Sequence, residues 1–481
     1  MLTLNNLLAL TPVILVSAFA VLVMLGIAWR RAHSGTVLVT TLGLNLALLS
    51  LFLVGTMGRV ETPLLIIDGL ALLASGMILV STLACATIAH AYLAGYRGPK
   101  EEFYLLLLIG AAGAMILVSS SHLASLFFGL ELMSMPLYGM LAYSFRERRS
   151  LEAGIKYLVL SAAGTAFLLF GMALLYAQTG RLDFEGLVSA LGIGAGENLV
   201  SLAGAGMMLV GLGFKLSIVP FHLWTPDVYE GGPGPATIFL ASVSKLAVFV
   251  VLLRLVLLAP AFQGAWFLDT LTVLALITML GGNLLALQQP NLKRLLGYSS
   301  IGHFGYLMAT LVVSNQFAVE TTGVYMVTYL VATLAAFGVV TLISSPYTGE
   351  DAAALHHYRG LFWRRPYLAA VLTVSMLSLA GIPFTAGFIG KFYIIALTVD
   401  ANQWWLLGGI ILGSAIGLFY YLRVMVTLYL VEPGMRRRDA TPDWAAQAGG
   451  LVVILLAVLV IFLGLYPGPM VHWISILLLG Y

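Results

Sequence analysis

The chain has 481 residues, of which 61% are hydrophobic and only 9% are charged. A soluble globular domain carries about 25% charged residues, so this composition excludes that class and predicts an integral membrane protein. The net charge of +3 is small, and no arginine-rich stretch with interleaved aromatic residues indicates a nucleic-acid surface. The single cysteine, Cys85, cannot by itself form a disulfide, a cysteine-ligated zinc site or an iron–sulfur cluster.

Fourteen apolar segments are long enough to cross a membrane, which takes ~20 helical residues for ~30 Å of hydrocarbon. They predict an all-α, polytopic membrane protein with a single integral membrane domain. A shorter mixed segment at 182–191 is expected to lie along the membrane surface. The predicted spans are 8–28, 36–56, 69–94, 103–118, 123–143, 155–178, 199–221, 235–258, 267–288, 294–312, 319–344, 367–397, 403–430 and 447–466.

The basic residues are distributed unevenly between the loops, and lysine and arginine gather on the cytoplasmic side of membrane proteins. Of the 23 lysines and arginines, only Arg59 and Arg181 fall in one set of alternate loops, and six fall within spans or at their edges. The fifteen in the other set are Arg30, Arg31, Arg97, Lys100, Arg146, Arg148, Arg149, Lys293, Arg294, Arg359, Arg364, Arg365, Arg436, Arg437 and Arg438. This asymmetry predicts fourteen helices with both termini outside the cytoplasm.

Four charged residues lie deep inside predicted spans, where a charge costs ~2.5–3.5 kcal/mol on insertion scales. They are Glu131 in the fifth span, Lys215 in the seventh, Lys245 in the eighth and Lys391 in the twelfth. Glu131 is the only one of the 20 acidic residues in such a position, since the others fall in loops or near span ends. Residues this costly indicate a protein that moves charge through the membrane.

Two prolines follow buried charges at the same spacing. Pro136 comes five residues after Glu131, and Pro220 comes five residues after Lys215. Because proline cannot donate a hydrogen bond to the carbonyl four residues back, each is expected to break its helix beside the charge. Broken backbone at membrane depth is tolerated only where it is buried in protein or lines a water-filled cavity.

A third break is predicted in the twelfth span at Gly381-Ile382-Pro383, eight residues before Lys391. The spans then form two units of five, each with a broken helix in fourth position. A unit with an odd number of spans enters the membrane from the opposite side when it is repeated, which predicts two inverted five-helix repeats. The predicted division is three helices in 1–94, a first repeat in 103–258, a second in 267–430 and a last helix at 447–466.

Each deeply buried charge also has a purely structural interpretation. Glu131 can be a neutral carboxyl that is hydrogen-bonded inside the bundle, and Lys215 and Lys245 can belong to a structural ion pair. Lys391 can extend along its four-carbon stem to the membrane surface.

Other polar residues leave similar alternatives open. Lys156 starts a span four residues after Glu152 and suits an ordinary surface ion pair. Arg254 and Arg423 are predicted to be anchors that reach the membrane surface. His303, in the tenth span, is either a packed histidine or a proton relay, because imidazole changes charge near neutral pH.

The residues alone predict a proton or cation translocator. A buried lysine can exist as an ammonium or an amine, because burial disfavours its charge whereas a nearby carboxylate favours it. A change of charge on one lysine then alters the proton affinity of the next, so a row of lysines can hand over protons.

Three segments resemble the antiporter-like subunits of proton-pumping NADH:quinone oxidoreductase, respiratory complex I. The likeness covers nearly the whole chain. The Pro220–Asp227 motif is specific for a superfamily that also includes Mrp-type cation/proton antiporters and membrane-bound hydrogenases. The segments are Phe128-Gly129-Leu130-Glu131-Leu132-Met133-Ser134-Met135-Pro136-Leu137-Tyr138, Gly213-Phe214-Lys215 with Pro220-Phe221-His222-Leu223-Trp224-Thr225-Pro226-Asp227, and Ser242-Val243-Ser244-Lys245.

Two features distinguish this chain among the three bacterial antiporter-like subunits. The largest carries a long lateral helix after the bundle, whereas this chain stops about fifteen residues after its last predicted span. The middle one has glutamate where Lys391 stands. The chain therefore resembles the remaining subunit of the three.

The resemblance implies which residues translocate protons. It implies that Glu131 and Lys215 form an acid–lysine pair, that Lys245 is the central connecting lysine and that Lys391 is the outlet. The complete set is Glu131, Lys156, Lys215, Lys245, His303 and Lys391, with Lys156 matching a family lysine of the sixth span and His303 a polar relay.

The resemblance also implies a bacterial inner-membrane location, with both termini in the periplasm, and partners that include neighbouring antiporter-like and small membrane subunits. FMN, iron–sulfur clusters and quinone are expected in partner subunits, where electron transfer from NADH to quinone drives the charge changes. This chain has no glycine-rich strand–turn–helix motif for NADH or flavin. The alternatives are a subunit of a cation/proton antiporter or hydrogenase, and a scaffold whose lysines only pack.

Overall fold

A computed structural model describes residues 4–191, 198–258, 265–347, 349, 351–431 and 448–478. Within these ranges the helices are joined by loops and turns, and the two strands of the chain form a hairpin of two antiparallel two-residue strands, β1 (Val60–Glu61) and β2 (Ile66–Ile67). The prediction of an all-α protein is therefore confirmed. Arg436, Arg437 and Arg438, which were counted among the loop cations, lie outside the described residues.

The helices follow the predicted spans closely. In the first part of the chain they are α1 (Leu4–Ala9), α2 (Thr11–Trp29), α3 (His33–Gly55), α4 (Gly69–Ala94), α5 (Glu102–Val118), α6 (Leu123–Leu141), α7 (Arg148–Thr179), α8 (Phe184–Leu191), α9 (Leu199–Leu216), α10 (Trp224–Gly231), α11 (Gly234–Phe239) and α12 (Lys245–Leu258). In the second part they are α13 (Ala265–Ala286), α14 (Leu292–Val313), α15 (Gln316–Ile343), α16 (Leu361–Arg364), α17 (Pro366–Ala380), α18 (Ala386–Asp400), α19 (Trp404–Tyr429), α20 (Ala448–Leu465) and α21 (Gly468–Leu478). A π-helical turn, Leu240–Ser244, joins α11 to α12, and a 3-10 turn, Leu355–Tyr358, precedes α16.

Each predicted span coincides with a helix or with a pair of helices in line. Among the described residues, eleven helical segments are long and apolar enough to cross a membrane by themselves. The twelfth predicted span is divided instead into α17 and α18, and the seventh corresponds to α9, which ends at the break before α10. The sequence did not predict α21, whose eleven residues reach only ~16 Å, about half the hydrocarbon thickness.

Small polar side chains fix where several helices begin. The side chains of Asp68, Asn198, Asn291 and Asn315 each accept a hydrogen bond from a backbone N–H in the first turn of α4, α9, α14 and α15. Such caps satisfy N–H groups that have no partner inside the helix. They therefore fix where these helices begin, including α9 and α14, which carry Lys215 and His303.

Glycines allow corresponding helix pairs of the two predicted repeats to pack backbone to backbone. A Cβ atom on Gly129 of α6 would lie 2.7 Å from the backbone nitrogen of Leu117 in α5. In the second unit, a Cβ atom on Gly282 of α13 would lie 2.6 Å from the backbone nitrogen of Gly302 in α14. Small residues at such contacts are the usual means of close helix packing in membranes. The pairs α5–α6 and α13–α14 occupy equivalent places in the predicted repeats, whose boundaries stay a prediction.

The centre of the bundle is formed by the segment Gly234–Leu258 and by α15. The most apolar window of Gly234–Leu258 is buried along its whole length, and that of α15 is almost entirely buried. A charged side chain on the first segment, such as that of Lys245, is therefore surrounded by protein rather than lipid.

Two of the three predicted breaks are present. The backbone leaves the helix at Ser217 (φ 64°) after α9 and at Gly381 (φ 81°) after α17. The predicted break at Pro136 was wrong, because α6 continues through this residue. A proline removes only one backbone donor, and neighbouring groups can satisfy the freed carbonyl in a membrane bundle.

Candidate functional site

Lys215 lies in the last turn of α9 and points between α6 and α7. It is 1% exposed, and its Nζ donates hydrogen bonds to Ser134 Oγ at 2.7 Å and Ser161 Oγ at 2.5 Å. The ring of Tyr157 lies beside the ammonium group, with its centroid 5.8 Å from Nζ. Ser217 ends the helix two residues later in a left-handed conformation, so Lys215 lies directly before the break.

Glu131 lies near Lys215, and hydroxyl groups bind both charges. Thr165 Oγ1 donates to Glu131 Oε1 at 2.8 Å. Thr165 lies four residues after Ser161, so both hydroxyls are on one face of α7, and Ser134 lies three residues after Glu131, on the same face of α6. The three residues whose hydroxyls bind the two charges, Ser134, Ser161 and Thr165, are called the hydroxyl bridge below.

No direct ion pair forms at this position. Among the described residues, no lysine or arginine nitrogen lies within 4.0 Å of the Glu131 carboxylate, and no carboxylate lies within 4.0 Å of Lys215 Nζ. The interpretation of Lys215 as half of a structural ion pair was therefore wrong. The implied pair of Glu131 and Lys215 is present as neighbours across the hydroxyl bridge.

Lys245 begins α12 directly after the π-helical turn. It is 0% exposed, and its Nζ donates to Ser300 Oγ at 2.8 Å. Tyr329 OH donates to the same oxygen at 2.9 Å. The ammonium group also lies over the rings of Tyr229 and Phe304, with centroids 5.6 Å and 5.4 Å away. Aromatic faces attract a cation, so this lysine is held without any carboxylate within 4.0 Å in the described part of the chain.

The π-helical turn before Lys245 was not predicted from the sequence. Such turns are rare, and they occur frequently at functional sites because one extra residue shifts the side chains that follow. Here the turn covers Leu240–Ser244 and ends one residue before the central lysine.

Tyr157 lies between the first two lysines. Its ring is the one that faces Lys215, and both its hydroxyl and that of Ser244, the residue before Lys245, are buried. Side chains that can donate and accept a proton are therefore present along this interval.

His303 lies on α14 and uses both ring nitrogens. Nδ1 is 2.6 Å from Tyr325 OH, and Nε2 is 3.1 Å from Tyr421 OH. Tyr421 OH in turn makes a short hydrogen bond with Ser299 Oγ. Either tautomer of the imidazole can be satisfied, because a tyrosine hydroxyl both donates and accepts. This geometry permits a relay, and the role of His303 stays a prediction.

Lys391 lies on α18 and folds back over the second break. It is 7% exposed, and its Nζ donates to the carbonyl oxygen of Ala380, the last residue of α17, at 2.8 Å. The ring of Tyr306 lies 5.5 Å from the ammonium group, and it meets the ring of His303 edge to face at 5.8 Å. The alternative in which Lys391 reaches the membrane surface was therefore wrong, because the carbonyl freed by the break offers a nearer partner.

A polar cluster continues from Tyr306 within the predicted second repeat. Asn283 Nδ2 donates to Tyr306 OH at 2.9 Å, and Tyr420 OH donates to Asn283 Oδ1 at 2.9 Å. Sequence reasoning missed these residues and the hydroxyl partners of the lysines. The only signal was the spacing of Ser134 from Glu131 and of Ser300 from His303, three residues in each case.

Lys156 lies apart from the buried lysines. Its side chain is 40% exposed and pairs with Glu152 at 2.7 Å and Asp227 at 2.9 Å. Arg294 Nη1 binds the other oxygen of Asp227 at 2.7 Å. Burial raises the pKa of Asp227, but hydrogen bonds from Lys156 and Arg294 outweigh burial and leave this pKa below its usual value. The surface ion pair with Glu152 is present, and a role of Lys156 in translocation stays a prediction.

Arg254 does not reach for the membrane surface as predicted, whereas Arg423 binds a loop at the end of a span. Arg254 is 0% exposed and binds both carboxylate oxygens of Asp68, at 2.6 Å and 3.0 Å. Arg423 donates to the carbonyl oxygens of Leu287 and Gln289, at 2.7 Å and 2.8 Å, beyond the end of α13. The prediction for Arg254 was wrong because its guanidinium is fully buried and has acceptors inside the bundle, whereas the role of Arg423 as an anchor at a span end stays a prediction.

The described residues contain no group of three or more histidine, cysteine, aspartate or glutamate side chains that could hold a metal ion. The polar interior consists instead of single charges separated by hydroxyl, imidazole and amide groups. Discontinuous helices around buried charges define a helical membrane transport protein.

The family is shown by comparison with known proteins. Residues 120–417 match the family described as "NADH:quinone oxidoreductase/Mrp antiporter, TM". The chain belongs to this family. It is 66% identical to the NADH-quinone oxidoreductase subunit N of Chromohalobacter salexigens over 99% of this chain and 100% of the relative. It is 58% identical to the subunit N of Ectopseudomonas mendocina over 98% and 96% of the two chains.

Solved structures agree with this assignment. A chain of respiratory complex I from Thermus thermophilus is 35% identical, with a TM-score of 0.81 over 96% of this chain and 98% of that chain. A chain of the Mrp complex from Dietzia sp. shares the fold, with a TM-score of 0.84 at 19% identity over 98% and 97% of the chains. The resemblance noted from the sequence is therefore confirmed.

Proposed function

We propose that this chain is the proton-translocating subunit N of a bacterial NADH:quinone oxidoreductase. The observation that carries this proposal is the series Lys215, Lys245, His303 and Lys391, four buried titratable groups that are held by neutral partners in the described structure. The near full-length likeness to two relatives named subunit N supports the same function.

Neutral partners keep the charge of each group sensitive to its neighbours. A carboxylate in direct contact would bind the proton of a lysine strongly, whereas a serine hydroxyl can accept from an ammonium and donate to an amine. Two unit charges 10 Å apart repel by ~1.7 kcal/mol at an effective dielectric constant of 20, which is more than a tenfold change in proton affinity. Protonation of one lysine therefore favours proton release from the next.

The transfer starts and ends on groups of this chain. Lys215 in its ammonium form gives a proton towards Lys245, with Tyr157 and Ser244 between them. Lys245 gives a proton through Ser300 towards His303, which neighbours Tyr306 and thus Lys391. At each step an N–H or O–H bond breaks on one group and forms on the next, and the hydroxyl bridge couples the charge of Lys215 to that of Glu131.

The partner subunits supply the driving force. FMN, iron–sulfur clusters and quinone belong to them, and electron transfer from NADH to quinone changes the charge near Glu131. The chain lies in the bacterial inner membrane with both termini in the periplasm, which the distribution of basic residues between loops supports. Mass spectrometry of the complex extracted in mild detergent tests the partners: NADH-oxidising subunits are expected, and a cation/proton antiporter assembly without them would contradict the proposal.

Proton transport by the reconstituted complex tests the function. Glu131→Gln and Lys215→Ala are expected to leave the complex assembled, with normal NADH oxidation by an artificial acceptor, and to reduce NADH-driven proton transport at least severalfold. Thr82→Val is a matched control, because the Thr82 hydroxyl is buried and, among the described residues, bonds only to the carbonyl of Ile78 in its own helix. Normal proton transport by both charge variants would refute the proposal, and sodium-dependent exchange without NADH would favour an antiporter.

A further inference from the structure

A further lysine–carboxylate cluster lies outside the series of groups described above, at the first turn of α14. Lys293 is 0% exposed, and its Nζ donates to Asp351 Oδ2 at 2.8 Å and to the carbonyl oxygen of Gly232 at 2.5 Å. Tyr92 OH donates to the other carboxylate oxygen of Asp351 at 2.8 Å. The sequence placed Lys293 in a loop, so its complete burial was not predicted.

A polar cavity of about 290 Å³ reaches this cluster from the protein surface. Its lining includes Tyr92, Gly232 and Asp351 on the inner side and the exposed Arg148 and Arg149 at its rim. A water molecule occupies ~30 Å³ in the liquid, so the cavity has room for several. Water can therefore reach Asp351, whereas the buried Lys293 lies one hydrogen bond further in.

The cluster shares a helix with the serine that binds the central lysine, Lys245. Ser300, which binds Lys245, lies two turns after Lys293 on the same face of α14, ~10 Å along the helix axis. Gly297 lies between them, and a Cβ atom there would be 3.4 Å from the ring of Tyr229. The same ring faces Lys245, with its centroid 5.6 Å from Nζ.

We propose that Lys293 and Asp351 form a proton-uptake site that feeds Lys245 from the side of the membrane that carries the basic loops. This inference rests on the proposed function. Water in the cavity first protonates Asp351, which removes the charge that holds the proton of Lys293. The Lys293 ammonium then gives a proton inward, past the ring of Tyr229 and through the hydroxyl of Ser300, to the amine of Lys245. Asp351 in its acid form returns a proton to Lys293, which restores the ion pair. Tyr92 is a positioning residue, because its hydroxyl holds the carboxylate without touching Lys293.

Two substitutions separate proton transfer from the structural role of the pair. Lys293→Arg keeps the cation next to Asp351, but a guanidinium does not release its proton in the physiological range. Asp351→Asn keeps the shape of the side chain and removes the group that carries the proton. In the reconstituted complex, both are expected to reduce NADH-driven proton transport at least threefold, with unchanged NADH oxidation by an artificial acceptor. Tyr92→Phe is expected to have a smaller effect in the same direction.

The buried pair of Arg254 and Asp68 supplies the matched structural control, since an arginine takes no part in proton transfer. Asp68→Asn is expected to lower the thermal stability of the complex and to leave the number of protons moved per NADH unchanged. If Lys293→Arg and Asp351→Asn behave in this way, the cluster is structural and the inference is overturned.

Glu131→Gln in the same series distinguishes the inference from the proposed function. Lost transport in Glu131→Gln together with normal transport in both cluster variants would overturn only the uptake site. Normal transport in Glu131→Gln as well would overturn the proposed function itself.

Discussion

Glu131 and Lys215 each bind a separate hydroxyl group on one face of α7, and no direct ion pair forms between them. Thr165 binds the carboxylate, and Ser161, one turn earlier, binds the ammonium group. A buried ion pair is costly to form and holds its charges in place once formed. Separation by hydroxyls leaves each charge within the field of the other and free to change, which is what an electrostatic hand-over of protons needs.

Ser161→Ala tests the hydroxyl bridge. The change removes one acceptor from the Lys215 ammonium, and a hydrogen bond to a charged group contributes ~1.5–3 kcal/mol. We expect NADH-driven proton transport to fall severalfold in the reconstituted complex while the amount of assembled complex stays close to that of the wild type. Unchanged transport would contradict the prediction, because it would show that the hydrogen bond to Ser134 is sufficient and that Ser161 is not needed.

Gly381→Ala tests the second break. Gly381 has φ 81°, and an added Cβ atom would lie 2.6 Å from Cδ of Lys391. A non-glycine residue in this conformation costs ~1 kcal/mol, and the contact additionally displaces the lysine from Ala380. We expect proton transport to be lost at least fivefold.

Gly180→Ala is the matched control for that substitution. Gly180 has φ 65° but no atom within 4 Å of an added Cβ, so it carries the backbone strain without the displacement. Its transport should equal that of the wild type. Equal losses in both variants would mean that strain, rather than the position of Lys391, limits transport.

The pair of Arg254 and Asp68 leads to a prediction about stability. Removal of one partner of a buried ion pair costs ~3–5 kcal/mol, whereas replacement of both by apolar residues is often neutral. Arg254→Met should therefore lower the thermal unfolding temperature of the complex, and the double variant Arg254→Met with Asp68→Leu should recover part of this loss, because Asp68→Leu also removes the N-cap of α4. An additive effect of the two changes in the unfolding temperature would contradict a buried ion pair.

Acid sensitivity follows from the lowered pKa of Asp227. Because its pKa is lower in the folded chain, Asp227 contributes stability above the ordinary aspartate range of ~4, and this stability is lost as the pH falls through the folded-state pKa. Lys156→Met removes one of the partners that lower this pKa, so the loss should begin at a higher pH. The measurement is the remaining NADH oxidation after incubation at graded acidic pH, and an identical profile for the variant would contradict the prediction.

Much of the fold could be predicted because hydropathy and buried charge are local properties of the sequence. The spans, the breaks beside Lys215 and Gly381, and the burial of Lys245 all follow from short windows. The break at Pro136 was predicted wrongly because a helix in a crowded bundle can tolerate a missing donor.

The partners of the charges could not be predicted because they come together only in the tertiary structure. Arg254 and Asp68 are 186 residues apart in sequence, and Lys293 and Asp351 are 58 apart. Serine and tyrosine are common in such helices, so nothing local singles out Ser300 or Tyr325. The π-helical turn before Lys245 likewise has no strong local signal.

The most direct test of the central claim is the number of protons moved per NADH oxidised in vesicles that contain the complex with Lys245→Met. Lys245 is central, fully buried and held only by neutral partners within the described structure. The account predicts that this number falls clearly below the wild-type value while the complex assembles and still oxidises NADH with an artificial acceptor, and that Lys100→Met at the surface leaves it unchanged. A wild-type number of protons per NADH in the Lys245→Met complex would contradict the account.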